Sequence, residues 1–123
     1  MTMTPDQIIN ELAQCIGSEN YYQHRLGPIY TDGINYMATI CEAYWLIDAI
    51  ASYQTTRFAA TNAFQVWELV KSPTDNRPDR HILTYEDGNG NLLIRQTIPF
   101  SDFPLEDIKI YVCDNTILLP SEY

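Results

Sequence analysis

Two histidines and a few carboxylates are the side chains in this sequence that could perform acid–base chemistry. His24 lies in the segment from Ser18 to Tyr30, which mixes tyrosines with polar residues around a Gly-Pro turn signal. Asp48 has apolar neighbours, and a carboxylate in such a position needs a partner because an unpaired buried charge is costly. With His24 as acid or base near Asp48, the chain would be a small enzyme or a small-ligand binder. A structural role for both side chains is the competing interpretation.

No catalytic or metal-binding motif supports that chemistry. The chain has no HExxH, no GxSxG, no glycine-rich phosphate loop and no Cys/His ligand spacing. The segment from Asp87 to Asn91 begins like a calcium loop, but Leu92 and Ile98 stand where that loop needs glycine and glutamate. Its Asp-Gly and Asn-Gly pairs are typical of a tight hairpin turn. The sequence therefore predicts no metal and no cofactor, and it favours a protein without enzymatic activity.

The charge of the chain indicates a binding function instead. Sixteen acidic residues face seven basic ones, giving a formal net charge of −9. Such a surface should repel nucleic acid and anionic membranes and attract a basic protein. We therefore predict a non-enzymatic acidic protein-binding module, for example an inhibitor that mimics nucleic acid; a homodimer is a further alternative. The bland interpretation is that the charge serves solubility alone.

The candidate partner-binding residues lie in the C-terminal third, where carboxylates are interleaved with aromatic rings. They are Glu86, Asp87, Asp102, Phe103, Glu106, Asp107 and Tyr111. Turns at one end of a sheet lie together, so part of this charge is expected to form a patch. The alternative is turn chemistry, in which aspartate is simply favoured.

The apolar pattern predicts the elements that position these residues. Thr4, Pro5 and Gln7 form a capping box that opens a short N-terminal helix. From Asp32 to Gln54, apolar residues cover most of a helical circumference, which predicts one long buried central helix. Strand patterns follow at residues 64–71, 80–86, 91–99 and 107–113, with a short candidate at 116–119.

This order of elements predicts the fold class. Helices first and strands last favour an α+β fold, in which the N-terminal helix and the long central helix pack on a C-terminal antiparallel meander of four or five strands. We expect one domain over residues 1–123. Residues 18–30 and 55–63 are expected to be irregular connections, and residues 72–79 a mobile proline-containing loop.

The cysteines and the N-terminal residues bear on the compartment. Cys15, Cys41 and Cys113 are odd in number and widely spaced, which favours a reducing environment. The N-terminal residues lack the basic start and apolar run of a signal peptide, and polar residues interrupt the predicted central helix. We therefore expect a cytoplasmic protein.

Six short strings carry a resemblance. They are YTDG from Tyr30, AYWLID from Ala43, FQVW from Phe64, EDGNGN from Glu86, DFPL from Asp102 and LPSEY from Leu119. Together they make residues 18–123 resemble a family of small, uncharacterised bacterial proteins, a domain of unknown function. The resemblance implies a single compact cytoplasmic domain. It implies no role for any residue, because that family has no assigned activity.

Overall fold

The computed structural model of the chain describes residues 3–16, 19–73, 79–87, 89 and 91–123. These residues form an α+β fold, as the sequence predicts. Its helices are α1 (Pro5–Ala13), α2 (Asp32–Ile40), α3 (Tyr44–Ser52) and α4 (Thr56–Thr61), and a short 3-10 helix covers Pro120–Glu122. Its strands are β1 (Tyr21–Gln23), β2 (Ile29–Thr31), β3 (Phe64–Lys71), β4 (His81–Glu86), β5 (Leu92–Ile98), β6 (Asp107–Cys113) and β7 (Thr116–Leu118).

The strands form one mixed sheet in the order β1-β2-β7-β6-β3-β4-β5. Neighbouring strands are antiparallel, whereas β2 and β7 are parallel. The longest pairing joins β3 to β6, from Phe64 opposite Cys113 to Val70 opposite Asp107. The strand that comes last along the sequence, β7, therefore connects the N-terminal hairpin to the rest of the sheet.

The predicted meander of four or five strands is wrong in its strand count and in its connections. Residues 18–30 contain β1 and the start of β2, each only three residues long and too short to show a period in the sequence. The connection after β5 passes two strands, because β6 pairs with β3. Residues 55–63, predicted to be an irregular connection, contain α4, whose first turn is capped by the Thr55 hydroxyl.

The predicted long central helix is also wrong, since two helices occupy its place. Between them Glu42 has a φ of +52°, and the Ala43 amide donates to the Ala38 carbonyl over 2.8 Å. That bond closes a Schellman motif, which most often has glycine at the left-handed position. Because Glu42 stands there and the apolar pattern runs on, the sequence carries no sign of the break.

The core lies between the helices and one face of the sheet. Trp67 on β3 is fully buried and stacks on Tyr85 of β4, with ring centroids 5.2 Å apart. Tyr53, which follows α3, packs on Trp67, and Phe58 of α4 packs on Tyr85. None of the helices in the described part of the chain has both the length and the apolar character that a membrane crossing needs.

Two predicted loops lie partly outside the described residues. Five residues of the proline-containing loop, 74–78, are not described. Residues 88 and 90 of the predicted hairpin turn are not described either. The strands that flank this turn, β4 and β5, are paired as the turn signal predicts.

Candidate functional site

Tyrosine rings and carboxylates meet on one surface beside the β1–β2 hairpin. We call Tyr22, Tyr30, Asp32, Tyr44 and Asp48 the tyrosine–carboxylate surface. Tyr22 lies directly opposite Tyr30 in the antiparallel pair, so their rings stack with centroids 5.4 Å apart. The N-terminus of α2 supplies Asp32, and α3 supplies Tyr44 and Asp48. Three neighbouring elements thus build the surface.

Asp32 fastens the hairpin to α2. The Tyr22 hydroxyl donates to Asp32 Oδ1 over 3.1 Å, and the Asn20 amide donates to Asp32 Oδ2 over 3.1 Å. A carboxylate in the first turn of a helix also interacts favourably with the helix dipole. The hydrogen bond to Asp32 is the main reason that the pKa of Tyr22 is raised. Tyr22 is therefore held as a neutral hydrogen-bond donor.

His24 and Asp48, the two residues of the predicted enzyme site, are in contact. His24 Nε2 lies 2.7 Å from Asp48 Oδ1, and the Leu26 amide donates to His24 Nδ1 over 3.1 Å. Since Nδ1 accepts, the imidazole proton belongs on Nε2, which donates to the carboxylate. The His24 side chain is only 8% exposed, whereas that of Asp48 is 62% exposed.

This geometry gives the His24–Asp48 pair a structural role, which we call an anchor. Both ring nitrogens of His24 are hydrogen-bonded, so neither has a free lone pair or proton to offer a substrate. The pair holds the turn after β1 against α3. One Asp48 oxygen is used in this contact, while most of that side chain faces solvent.

The remaining two tyrosines complete the surface. The Tyr44 hydroxyl donates to Asn35 Oδ1 over 2.7 Å, and Tyr44 stays 47% exposed. Burial raises the pKa of Tyr30, with smaller contributions from Tyr44 and Asp48. The Tyr30 phenol is therefore neutral near pH 7. Neutral rings beside carboxylates can contact a cation through their faces.

The residues predicted to bind a partner do not gather in one place. Glu86 pairs with Val66 toward one end of β3, while Asp107 pairs with Val70 toward the other end. Glu86 and Asp87 therefore lie at the opposite end of the sheet from Asp107. Asp102, Glu106 and Asp107 are each exposed.

Phe103 is not a surface residue, which corrects its place in the predicted partner-binding set. It is 4% exposed and packs edge-on against Trp45, with ring centroids 6.5 Å apart, and against His81. Acidic residues stand on both sides of it, at Asp102 and Glu106, but the apolar ring is buried among core residues. A partner cannot reach it without unfolding this corner.

Asp87 and Tyr111 already have intramolecular partners. Asp87 Oδ1 accepts from the Asn89 and Asn91 amides, over 2.8 and 3.3 Å, and Oδ2 accepts from Asn91 Nδ2 over 2.9 Å. The hydrogen bonds from Asn91 and Asn89 lower the pKa of Asp87, as turn chemistry would. Tyr111 packs against Phe64 and Tyr123, with ring centroids 5.4 and 5.6 Å away.

The segment after β7 docks on the N-terminus of α2. Glu122 Oε1 accepts from the Thr31 hydroxyl over 2.6 Å and from the Leu119 amide over 2.9 Å, and Oε2 accepts from the Gly33 amide over 3.3 Å. A Cβ added at Gly33 would lie 2.5 Å from Glu122 Oε1. Sequence reasoning missed this contact; the available signal was a glycine in the first turn of a helix.

No metal centre emerges within the described ranges. There, no three His, Cys, Asp or Glu side chains are grouped so that they could hold an ion. Cys15, Cys41 and Cys113 are free thiols.

Comparison with known proteins identifies a family whose function is unknown. A family model described as a family of unknown function matches residues 6–123. No curated protein and no solved structure matches the chain significantly.

Proposed function

We propose a function from the residues themselves, because the chain belongs to DUF6876, a family of unknown function. The protein is a non-enzymatic acidic module that binds a basic protein partner through the tyrosine–carboxylate surface. The observation that carries this proposal is the exposed carboxylate of Asp48, held by His24 beside the Tyr30 and Tyr44 rings. The binding is proposed to take place in a bacterial cytoplasm, as the resemblance implies.

The chemistry of this surface suits arginine and lysine. A cation over a tyrosine face gains about 0.5 to 1 kcal/mol at an exposed site, and a neighbouring carboxylate adds a charge-assisted hydrogen bond. Arginine is favoured over lysine, because its planar guanidinium can stack on a ring while it donates to a carboxylate. Tyr22 and Tyr44 are fixed by hydrogen bonds to Asp32 and Asn35, so their rings lose little conformational entropy on binding.

The net charge of −9 supports the same class of partner. A negative surface speeds the encounter with a positive one and disfavours acidic competitors. Proteins that bind nucleic acid carry clustered arginine and lysine, so they fit this description. Within that class, the module would act as an inhibitor that occupies the nucleic-acid-binding surface of its partner.

Two double variants with equal charge change test where the partner binds. The variant Asp32→Asn/Asp48→Asn keeps one acceptor for Tyr22 and one for His24, and it removes two negative charges. The control Glu106→Gln/Asp107→Asn removes two charges from the acidic end of β6. Immobilised wild-type protein captures partners from a bacterial lysate at low salt, mass spectrometry identifies them, and titration of the purified partner gives Kd for each variant.

The outcomes separate three explanations. If the tyrosine–carboxylate surface binds the partner, the Asp32/Asp48 variant loses affinity, the loss shrinks at high salt, and the control resembles wild type. Equal losses in both variants would mean that only total charge matters. A loss of affinity confined to the Glu106/Asp107 control would show that the partner binds near the start of β6. Capture of no basic protein at low salt would contradict the proposal itself.

A small enzyme or small-ligand binder at the same hairpin is the second candidate. The 2.7 Å contact between His24 and Asp48 favours it. As a base, His24 would first have to give up a hydrogen bond, because both ring nitrogens are engaged. A His24→Gln variant discriminates between the two functions, since partner binding should survive in it and acid–base catalysis should not.

A further inference from the structure

A cleft of about 510 Å³ opens where α2 ends, between α1 and the segment before β6. Ile8, Ile40 and Pro104 supply an apolar part of its wall. Glu42 and Asp102 supply two carboxylates. A volume of this size with a few convergent polar groups is typical of a small-molecule site.

The cleft is negatively charged from two independent sources. Among the described residues that line it there is no lysine, arginine or histidine, so within this part of the chain Glu42 and Asp102 face no basic side chain. Helix α2 also ends at the cleft, and the last turn of this helix contains no basic residue. The carbonyl end of a helix carries a partial negative charge, which favours a cation.

The wall of the cleft also contains a polar group without a partner. Cys41, the C-cap residue of α2, is 3% exposed, and among the described residues its thiol has no hydrogen-bond partner. Burial raises the pKa of this thiol to about 11, so it remains a neutral donor. A ligand in the cleft would meet carboxylates, a thiol and hydrocarbon.

We infer that this cleft binds a small organic cation, an amine with a short hydrocarbon body. The ammonium group lies between Glu42 and Asp102, and the hydrocarbon body contacts Ile8, Ile40 and Pro104. A calcium ion is a poorer fit, because it takes six to eight oxygen ligands and the cleft offers two carboxylates. The cleft shares no lining residue with the tyrosine–carboxylate surface, although Thr39 in its wall lies 3.1 Å from the Tyr44 hydroxyl. The inference does not depend on the proposed partner.

Three probes with the same body and different charge test the inference on wild-type protein. They are hexylamine, 1-hexanol and hexanoate, each added at constant ionic strength and followed by amide chemical shifts in NMR. Hexylamine is expected to give saturable shifts at residues 39–42, and hexanoate none. If 1-hexanol binds as tightly as hexylamine, the cleft recognises only hydrocarbon and the inference is wrong. Absence of saturable shifts with hexylamine also overturns it.

Paired variants show whether the two carboxylates carry the selectivity. Glu42→Gln/Asp102→Asn should raise the Kd for hexylamine about tenfold, equivalent to about 1.4 kcal/mol. The control Glu86→Gln/Asp114→Asn removes the same charge at the other end of the sheet and should leave Kd within about twofold. Equal losses in both variants would mean diffuse attraction by net charge, not a site. Should the first variant fail to fold, the comparison of amine with alcohol on wild type decides alone.

Discussion

Gln54 and Gln65 exchange two hydrogen bonds between their buried amides. Gln54 Nε2 donates to Gln65 Oε1 over 2.7 Å, and Gln65 Nε2 donates to Gln54 Oε1 over 2.8 Å. Gln65 Oε1 also accepts from the Trp67 indole over 2.7 Å. Both glutamines are less than 10% exposed, so this contact ties the end of α3 to β3 inside the core.

Replacing Gln65 with leucine should destabilise the fold strongly. The substitution leaves the Trp67 indole without its acceptor and Gln54 Oε1 without its donor, while Gln54 Nε2 keeps the Ile50 carbonyl. Each unpaired buried group costs about 1 to 3 kcal/mol. We expect a loss of about 2 to 4 kcal/mol in the free energy of unfolding, measured by urea titration. Gln96→Leu is the matched control, since within the described residues the Gln96 side chain has one partner, the Tyr53 hydroxyl, at a half-buried position. Equal losses in both variants would contradict the importance of the buried pair.

Gly33 and Glu122 should be energetically coupled. Alanine in a helix is normally better than glycine by about 1 kcal/mol, but at position 33 its Cβ would displace the Glu122 carboxylate. Gly33→Ala should therefore destabilise wild type and stabilise a Glu122→Ala background. A double-mutant cycle by thermal melting measures this coupling. Additive effects would show that the carboxylate does not depend on the absence of a Cβ.

Glycine in place of Glu42, the left-handed residue between α2 and α3, should stabilise the fold relative to a residue with a Cβ. The left-handed conformation destabilises a residue with a Cβ by about 1 to 2 kcal/mol. Glycine has no Cβ and avoids most of this loss. We expect Glu42→Gly to unfold at higher urea than Glu42→Ala, which removes the same charge and retains the Cβ. A less stable glycine variant would mean that the chain is not held at φ +52° in solution.

Stability should fall in alkali, partly because of Cys41. Burial raises the pKa of this thiol from its ordinary 9.0 to about 11, so the folded state holds the proton more tightly than the unfolded state. Its contribution is complete below pH 9 and disappears as the pH rises through 11. The Cys41→Ala variant should therefore lose less free energy of unfolding over this range than wild type. Tyr22 and Tyr30, whose pKa values are also raised, contribute equally in both proteins.

The His24 imidazole should be protonated on Nε2 when it is neutral. Nitrogen-15 NMR of the ring distinguishes the two tautomers directly, and the Leu26 amide at Nδ1 predicts an unprotonated Nδ1. Asp48→Asn keeps an oxygen acceptor and should change stability by less than about 0.5 kcal/mol. Asp48→Ala removes the acceptor and should cost about 1 kcal/mol. A proton found on Nδ1 would contradict the anchor geometry.

The long central strands could be predicted from sequence because their signals are local. β3 and β6 begin and end at the predicted residues. β6 alternates its side chains cleanly over seven positions, and β3 is rich in the β-branched and aromatic residues that favour strands. The start of the first helix is also predicted by a local signal, the capping box at Thr4. The apolar stripe continues through Cys15, so the sequence alone would extend this helix beyond its observed end at Ala13.

The remaining features carry no recognisable local signal in the sequence. Nothing near Glu42 predicts a left-handed turn, and only the closing bond from Ala43 to Ala38 reveals it. His24 and Asp48 lie far apart in sequence, and the hairpin brings them together. Phe103 was assigned to the surface because its neighbours are acidic, although its ring fills a space beside Trp45. Packing between residues distant in sequence, which no local pattern encodes, decided the last two.

The parallel pairing of β2 with β7 has a consequence for synthesis on the ribosome. The β1–β2 hairpin emerges well before β7, yet in the described part of the chain β7 is the strand that joins it to the rest of the sheet. Until β7 emerges, β2 presents an unpaired edge that can attach to other nascent chains. Pairings between residues this distant in sequence also close slowly. The complete sheet can therefore close only after β7 has emerged, and until then the nascent hairpin is the place where a chaperone would be needed.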